Sequence, residues 1–144
     1  MKFEIIKDLK TQRDIITKCD SAFDEPMSKR TYFTDITVKI NTYGNFIALK
    51  TEDGEPVGYA AFYANNYETK VAYISLLVVD KKHWGNNYGK MLIDKVKEMS
   101  KEVGMEVLRL AIRKNELKSL AVFIRNGFDF ESEEPESYYL SIKL

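Results

Sequence analysis

The residues best suited to chemistry are Gly85, Asn87 and Gly89, which punctuate the segment Leu76 to Val103. Gly85 and Gly89 allow close approach to the backbone, and Asn87 is among the few non-glycine residues that tolerate positive φ. Successive N–H groups can therefore point into one concavity. The apolar run Leu76 to Val79 ahead of them reads as a buried strand, and from about Tyr88 the pattern is that of an amphipathic helix. The first turn of such a helix adds unpaired N–H groups and the positive end of its dipole. Strand, polar turn and helix N-terminus together make a receptacle for an anion, and phosphate or pyrophosphate is the expected guest.

The rest of the chain must position that turn. Lys2 to Ile6 reads as a strand, and Thr11 with Asp14 as a capping pair that opens a helix with Ile15, Ile16, Cys19 and Phe23 on one face. Asp24-Glu25-Pro26 breaks it. A second helix carries Tyr32, Phe33, Ile36, Ile40 and Tyr43 on one side and stops at Gly44. Asn45 to Lys50, Val57 to Ala64 and Val71 to Val79 read as three antiparallel strands turning at Asp53-Gly54 and Asn65-Asn66. The helix after the anion turn has Tyr88, Leu92, Val96, Met99 and Val103 as its core stripe and ends at Gly104. Val107 to Arg113 is a strand. Leu117 to Asn126 is a helix with Leu117, Leu120, Ala121 and Ile124 inward, stopped by Gly127-Phe128, and Phe128 to Ser132 with Ser137 to Leu144 form a last antiparallel pair. Periodicity supports α plus β in the order β-α-α-β-β-β-α-β-α-β-β.

Trp84-Gly85-Asn86-Asn87-Tyr88-Gly89 resembles the acyl-CoA loop of the GNAT superfamily of N-acetyltransferases, written Q/R-x-x-G-x-G/A after the fourth strand. The last glycine fits, Asn87 replaces the first glycine, and Trp84 replaces the opening Gln or Arg. The strand Val107 to Arg113, the following helix and its Gly127-Phe128 ending also resemble the family's next segment, so the likeness covers roughly the whole chain. It implies a mixed α/β fold with a strongly twisted sheet, helices on both faces, and fourth and fifth strands that splay apart after Leu76 to Val79 and within Leu110 to Arg113. It also implies acetyl-CoA as acyl donor and CoA as product. Leu77, Val78 and Val79 would contact the pantetheine arm, and Trp84, Gly85, Asn86, Asn87, Tyr88, Gly89 and Lys90 would surround the pyrophosphate. A backbone N–H near Val78 or Val79 would polarise the thioester carbonyl.

For catalysis, the resemblance places Tyr73 where some relatives carry a glutamate base and Phe123 where many carry a tyrosine acid. Tyrosine is a poor base at neutral pH, and phenylalanine donates no proton. Asn115 resembles the family's post-strand asparagine, a cofactor or catalytic position, or else opens the following helix. His83, the only histidine, is a candidate base or a solvent-facing loop residue, and the second reading is preferred. For Tyr88, core packing is preferred to a site role. Lys81, Lys82 and Lys90 could draw CoA phosphates. Between the first two helices, Met27, Ser28 and Arg30 stand where the family builds its acceptor wall. Glu131, Glu133, Glu134 and Glu136 could attract a cationic amine, although a solvated turn is the preferred reading. Tyr59, Phe62, Tyr63, Tyr67, Tyr138 and Tyr139 could line an aromatic acceptor pocket, with about half facing one side.

Composition narrows the alternatives. A chain of 144 residues, 44% hydrophobic and 31% charged, suits one domain spanning residues 1–144. Twenty-two basic residues balance twenty-two acidic ones, so no global field draws the chain to nucleic acid or an anionic membrane. Arg109, Arg113 and Lys114 carry the nucleic-acid reading, which lacks a base-stacking motif. Cys19 is the only cysteine: no intrachain disulfide, no zinc site and no metal are expected. The start lacks a signal-peptide core and no run reaches transmembrane length, so a cytoplasmic location is expected. The many aromatics leave surplus apolar surface that could serve a homodimer. The expected activity is N-acetyl transfer to the primary amine of a small molecule, amino sugar or peptide. The alternative is a catalytically silent acyl-CoA binding module.

Overall fold

The computed structural model describes residues 1–144. Its elements are β1 (Lys2–Ile5), α1 (Leu9–Lys18), α2 (Phe33–Tyr43), β2 (Asn45–Lys50), β3 (Pro56–Tyr63), β4 (Val71–Val79), α3 (Tyr88–Glu102), β5 (Val107–Arg113), α4 (Leu117–Arg125), β6 (Asp129–Glu133) and β7 (Ser137–Lys143). That is the expected order. One seven-stranded sheet runs β1-β2-β3-β4-β5-β7-β6, and β4 with β5 is its parallel pair. The sheet is sandwiched. On one face Leu92, Ile93 and Val96 of α3 and Phe123 of α4 pack against Ile47, Phe62, Ile74 and Leu108. On the other, Ile15, Ile16 and Ile40 of α1 and α2 pack against Phe46, Tyr59, Leu76 and Val78. No helix is long and apolar enough to cross a membrane.

Several local expectations need correction. Helix α1 is opened by Asp8, not by Thr11 with Asp14: the Asp8 carboxylate accepts from the Thr11 N–H at 2.9 Å and from its hydroxyl at 2.7 Å. The helix ends at Lys18, so Phe23 reaches its half-buried place through a turn. In α2, Tyr32 and Tyr43 are exposed, while the polar Thr37 is buried with Ile40. Thr37 is tolerated inside because its hydroxyl accepts from Arg13 Nε at 2.9 Å and donates to the Phe33 carbonyl at 2.8 Å. The α3 stripe turns onto Ile93 and Ser100 and leaves Val103 exposed. In α4 the inward side chain is Phe123, edge-on to Phe128 at 5.3 Å, whereas Leu117, Ala121 and Ile124 are exposed. Apolar residues lie all round this short helix, and the largest ring takes the core.

Candidate active site

One extra residue in β4 creates the opening. Ala61 of β3 pairs with Leu76 and Phe62 with Ile74, which leaves Ser75 unpaired as a β-bulge. The bulge also switches faces: Ala72 and Ile74 belong to the core under α3, whereas Leu76 and Val78 belong to the core under α1 and α2. Beyond it β4 stays with β3 as far as Gly58 opposite Val79, and β5 stays with β7 as far as Arg113 opposite Ser137. Ladder pairing between β4 and β5 therefore stops at Ile74 with Leu110. The splay begins at Ser75, earlier than the expected Leu76 to Val79, and forms a wedge.

Register assigns the groups that line it. Asp80 donates its N–H to the Val57 carbonyl at 2.9 Å, which makes 57 with 80 a hydrogen-bonded pair of the antiparallel ladder. Alternation then turns Val78 toward Tyr59 and turns the N–H and C=O of Leu77 and Val79 to the wedge. An N–H that polarises a carbonyl in the wedge is thus Val79's rather than Val78's. Gly58 helps to hold this tip: a Cβ there would lie 2.7 Å from the Val78 carbonyl oxygen and 3.2 Å from Leu92 Cδ1.

The anion turn stands at the mouth of the wedge. Gly85 has φ 89 and Asn87 has φ 62, and Asn87 is the N-cap of α3 without a side-chain capping bond. From Gly85 through Lys90 every backbone N–H lacks an acceptor within the protein, and the first intrahelical bond is from Met91 to the Asn87 carbonyl at 3.1 Å. Six consecutive N–H groups are thus left without a partner inside the protein. Asn86 instead anchors the turn, donating from Nδ2 to the His83 carbonyl at 3.0 Å. The Trp84 indole N–H bonds to the Val79 carbonyl at 2.8 Å, a contact that no residue pattern announces. Lys90 is paired with Asp94 at 2.7 Å and Lys82 with Glu55 at 3.1 Å. Lys81 and Lys118 lie over the Trp84 ring, 5.9 and 5.2 Å from its centre. Lys118 was not anticipated.

Tyr73 lies below the wedge beside Arg109, on the sheet face opposite Ala72 and Ile74. Burial first, and then Tyr139, push its phenol above the ordinary value against the pull of the Ala111 backbone and Arg109. Arg109 stacks on Tyr139 at 5.3 Å and pairs with Glu131, while Lys114 pairs with Glu133. Glu131 and Glu133 are therefore ion-paired, whereas Glu134 and Glu136 of the same turn are in no ion pair. Asn115 is exposed and precedes Glu116, which takes the N-cap of α4 without a side-chain bond. Asn115 therefore does not cap the helix. His83 is not simply solvent-facing: its Nε2 is buried without a partner and its ring tilts on Tyr88 at 6.3 Å. Tyr88 packs on the core as preferred.

The connection between α1 and α2 is built largely from its own contacts. Met27 is 2% exposed and belongs to the core, which corrects its expected place in an acceptor wall. Ser28 donates its N–H to Asp20 at 3.1 Å and its hydroxyl to the same carboxylate. Arg30 clamps the Glu25 carbonyl at 2.9 and 3.1 Å and lies over Phe23 at 4.9 Å. The single thiol is also structural: burial first, then Asp80, push Cys19 up to about 12. The six aromatics form no common pocket. Tyr59 and Phe62 belong to opposite core layers, Tyr67 is exposed, and Tyr138 and Tyr139 alternate across β7. A cavity of about 290 Å³ lies at the other end of the sheet among Tyr43, Asn65, Tyr67 and Met99. The wedge is defined instead by the end of pairing between β4 and β5 at Ile74 with Leu110.

Solved structures share this architecture. PaiA N-acetyltransferase from Thermoplasma acidophilum, crystallised with coenzyme A, is 15% identical over 100% of both chains with a TM-score of 0.79. A Bacillus subtilis acetyltransferase in complex with CoA is 15% identical, covering 99% of this chain and 98% of its own, with a TM-score of 0.78. The IAA acetyltransferase from Bacillus cereus is 17% identical over 99% of each chain, with a TM-score of 0.76. At such identities the likeness establishes the fold. No curated protein sequence matches the chain. The family itself is fixed by sequence: residues 9–128 match the acetyltransferase (GNAT) family, and the chain belongs to it.

Proposed function

We propose that the chain is an acetyl-CoA-dependent N-acetyltransferase, moving an acetyl group to the primary amine of a small molecule, amino sugar or peptide by direct attack in a ternary complex. The observation that carries this reading is the run of acceptor-free N–H groups from Gly85 to Lys90 at the mouth of a wedge edged by Leu77 and Val79. An anion turn alone suits any phosphate. An anion turn in line with an open strand edge suits a pyrophosphate joined to an amide-bearing arm. In this reading the turn amides hold the pyrophosphate and the Leu77 and Val79 backbone aligns the arm, whose thioester supplies the activated acyl carbon. The Val79 N–H, turned into the wedge, is suited to the oxyanion that develops.

The amine nitrogen bonds to the carbonyl carbon as the C–S bond breaks. One proton leaves the amine and one is taken up by the sulfur, so only a route between them is needed. Tyr73, with its raised pKa, stays protonated near neutrality and serves as a donor rather than a base. Phe123 lies in the core and supplies no proton. Those two facts favour one other reading, a catalytically silent acyl-CoA binding module. Thermal denaturation with CoA and acetyl-CoA tests the shared premise, since ligand at about a hundred times its Kd stabilises by roughly 2.7 kcal/mol. No shift with either ligand defeats both readings. Thiol release over a broad amine panel then separates them, because a module that binds CoA releases none above background.

A further inference from the structure

We propose that Trp84 is an internal competitor for the acyl donor: its indole and the amide-bearing arm claim the same carbonyl, that of Val79. The inference rests on the reading of the wedge as the arm's site. Register turns both polar groups of Leu77 and Val79 outward, and the Val79 carbonyl is the one held by a side chain, Trp84 Nε1 at 2.8 Å. A carbonyl oxygen has two lone pairs, but a bicyclic ring seated against the strand edge also fills the space through which a second donor must come.

The contact is built to exchange. Trp84 is 42% exposed, so water can satisfy both partners once they part, and the net loss is that of one solvent-accessible hydrogen bond. The same ring gathers two cations from opposite sides of the mouth. Lys81 comes from the turn after β4 and Lys118 from the first turn of α4, with their ammonium groups 5.9 and 5.2 Å from the ring centre. Both charges suit a phosphate, and displacement of the indole frees both. One movement thus releases an acceptor for the arm and two cations for the phosphates. Donor affinity is set partly by how tightly the chain holds its own side chain.

Trp84 is the only tryptophan, so its emission reports this contact alone. The full chain is titrated with CoA, acetyl-CoA and ADP, the last carrying a pyrophosphate but no arm. CoA and acetyl-CoA should shift the indole emission to the red as the ring moves to water, and ADP should do so far less. Trp84→Phe keeps a ring under the lysines but cannot donate, so calorimetry should show it binding CoA about two- to tenfold more tightly than the parent. Equal or weaker binding by Trp84→Phe overturns the proposal by making the indole inert or a platform for the donor. So does an unchanged emission at saturating CoA, which needs no variant. Failure of the parent and the variant alike to bind CoA sinks the donor-site reading itself, a different result from binding without an indole response.

Discussion

Gly89→Ala separates what the anion turn needs from what the helix needs, because the two effects have opposite signs. Gly89 is in the first turn of α3 and has no positive φ, so alanine fits its backbone. A Cβ built there meets Val122 Cγ1 at 3.6 Å, an ordinary contact. Replacing a helical glycine by alanine then stabilises by at most about 0.5–1 kcal/mol, or roughly 1–4 °C in Tm for a chain of this size. The same methyl stands among the acceptor-free amides from Gly85 to Lys90, where it holds a pyrophosphate oxygen away from at least one N–H. Loss of one charge-assisted hydrogen bond costs about 1.5–3 kcal/mol, so CoA affinity should fall roughly 10- to 100-fold. Calorimetry for binding and a melting curve for stability measure both. A protein that melts higher and binds CoA as before refutes the assignment of these amides. Lower affinity with a lower Tm would mean that the helix itself was damaged.

Other substitutions probe neighbouring parts. Asn87→Gly should leave CoA affinity unchanged and hold or raise the Tm, because φ 62 is easier for glycine; a marked loss of binding would show that the amide side chain takes part. Gly58→Ala forces a Cβ to within 2.7 Å of a backbone oxygen, so it should destabilise by about 1–3 kcal/mol, and an unchanged melting curve would contradict the packing at the tip of β4. Tyr73→Phe should leave CoA binding intact and lower kcat. Since Tyr73 stays protonated well above neutrality, any rate limb between pH 6 and 9 should survive the substitution; its disappearance would make Tyr73 the titrating base. Cys19 has its folded pKa raised to about 12, so its contribution to stability is complete below the unfolded value and is lost as pH climbs from there toward the folded one. Alkaline unfolding curves should accordingly be shallower for Cys19→Ala by up to about 1.4 kcal/mol per pH unit, and identical slopes would refute this.

Legibility in the sequence followed how each residue is constrained. The bounds of β2, β4 and β5 could be read to the residue because apolar runs there end at Gly, Asn or Asp turns. Helix faces were harder, since α4 carries apolar side chains all round and Thr37 earns an interior place through bonds that no periodicity encodes. The turn before α3 was legible because positive φ restricts residue type at Gly85 and Asn87. Its partner Trp84 was not, because a bond from a ring to a carbonyl five residues back leaves no pattern. Met27 misled for a related reason: its place in a chain break suggested a wall, while its burial depends on distant residues of β2 and β3. Ser75 was not singled out within the strand read from Val71 to Val79, because only the pairing with β3 makes it a bulge.

That bulge means that β4 is governed by counting rather than by chemistry. An odd residue in the middle of the strand sends its lower half to one core layer and its upper half to the other, and parts it from β5 at the same point. Side chains along β4 can drift within the limits of packing while the opening persists. Removing a single position would restore the ladder, reverse the facing of everything beyond it and close the groove.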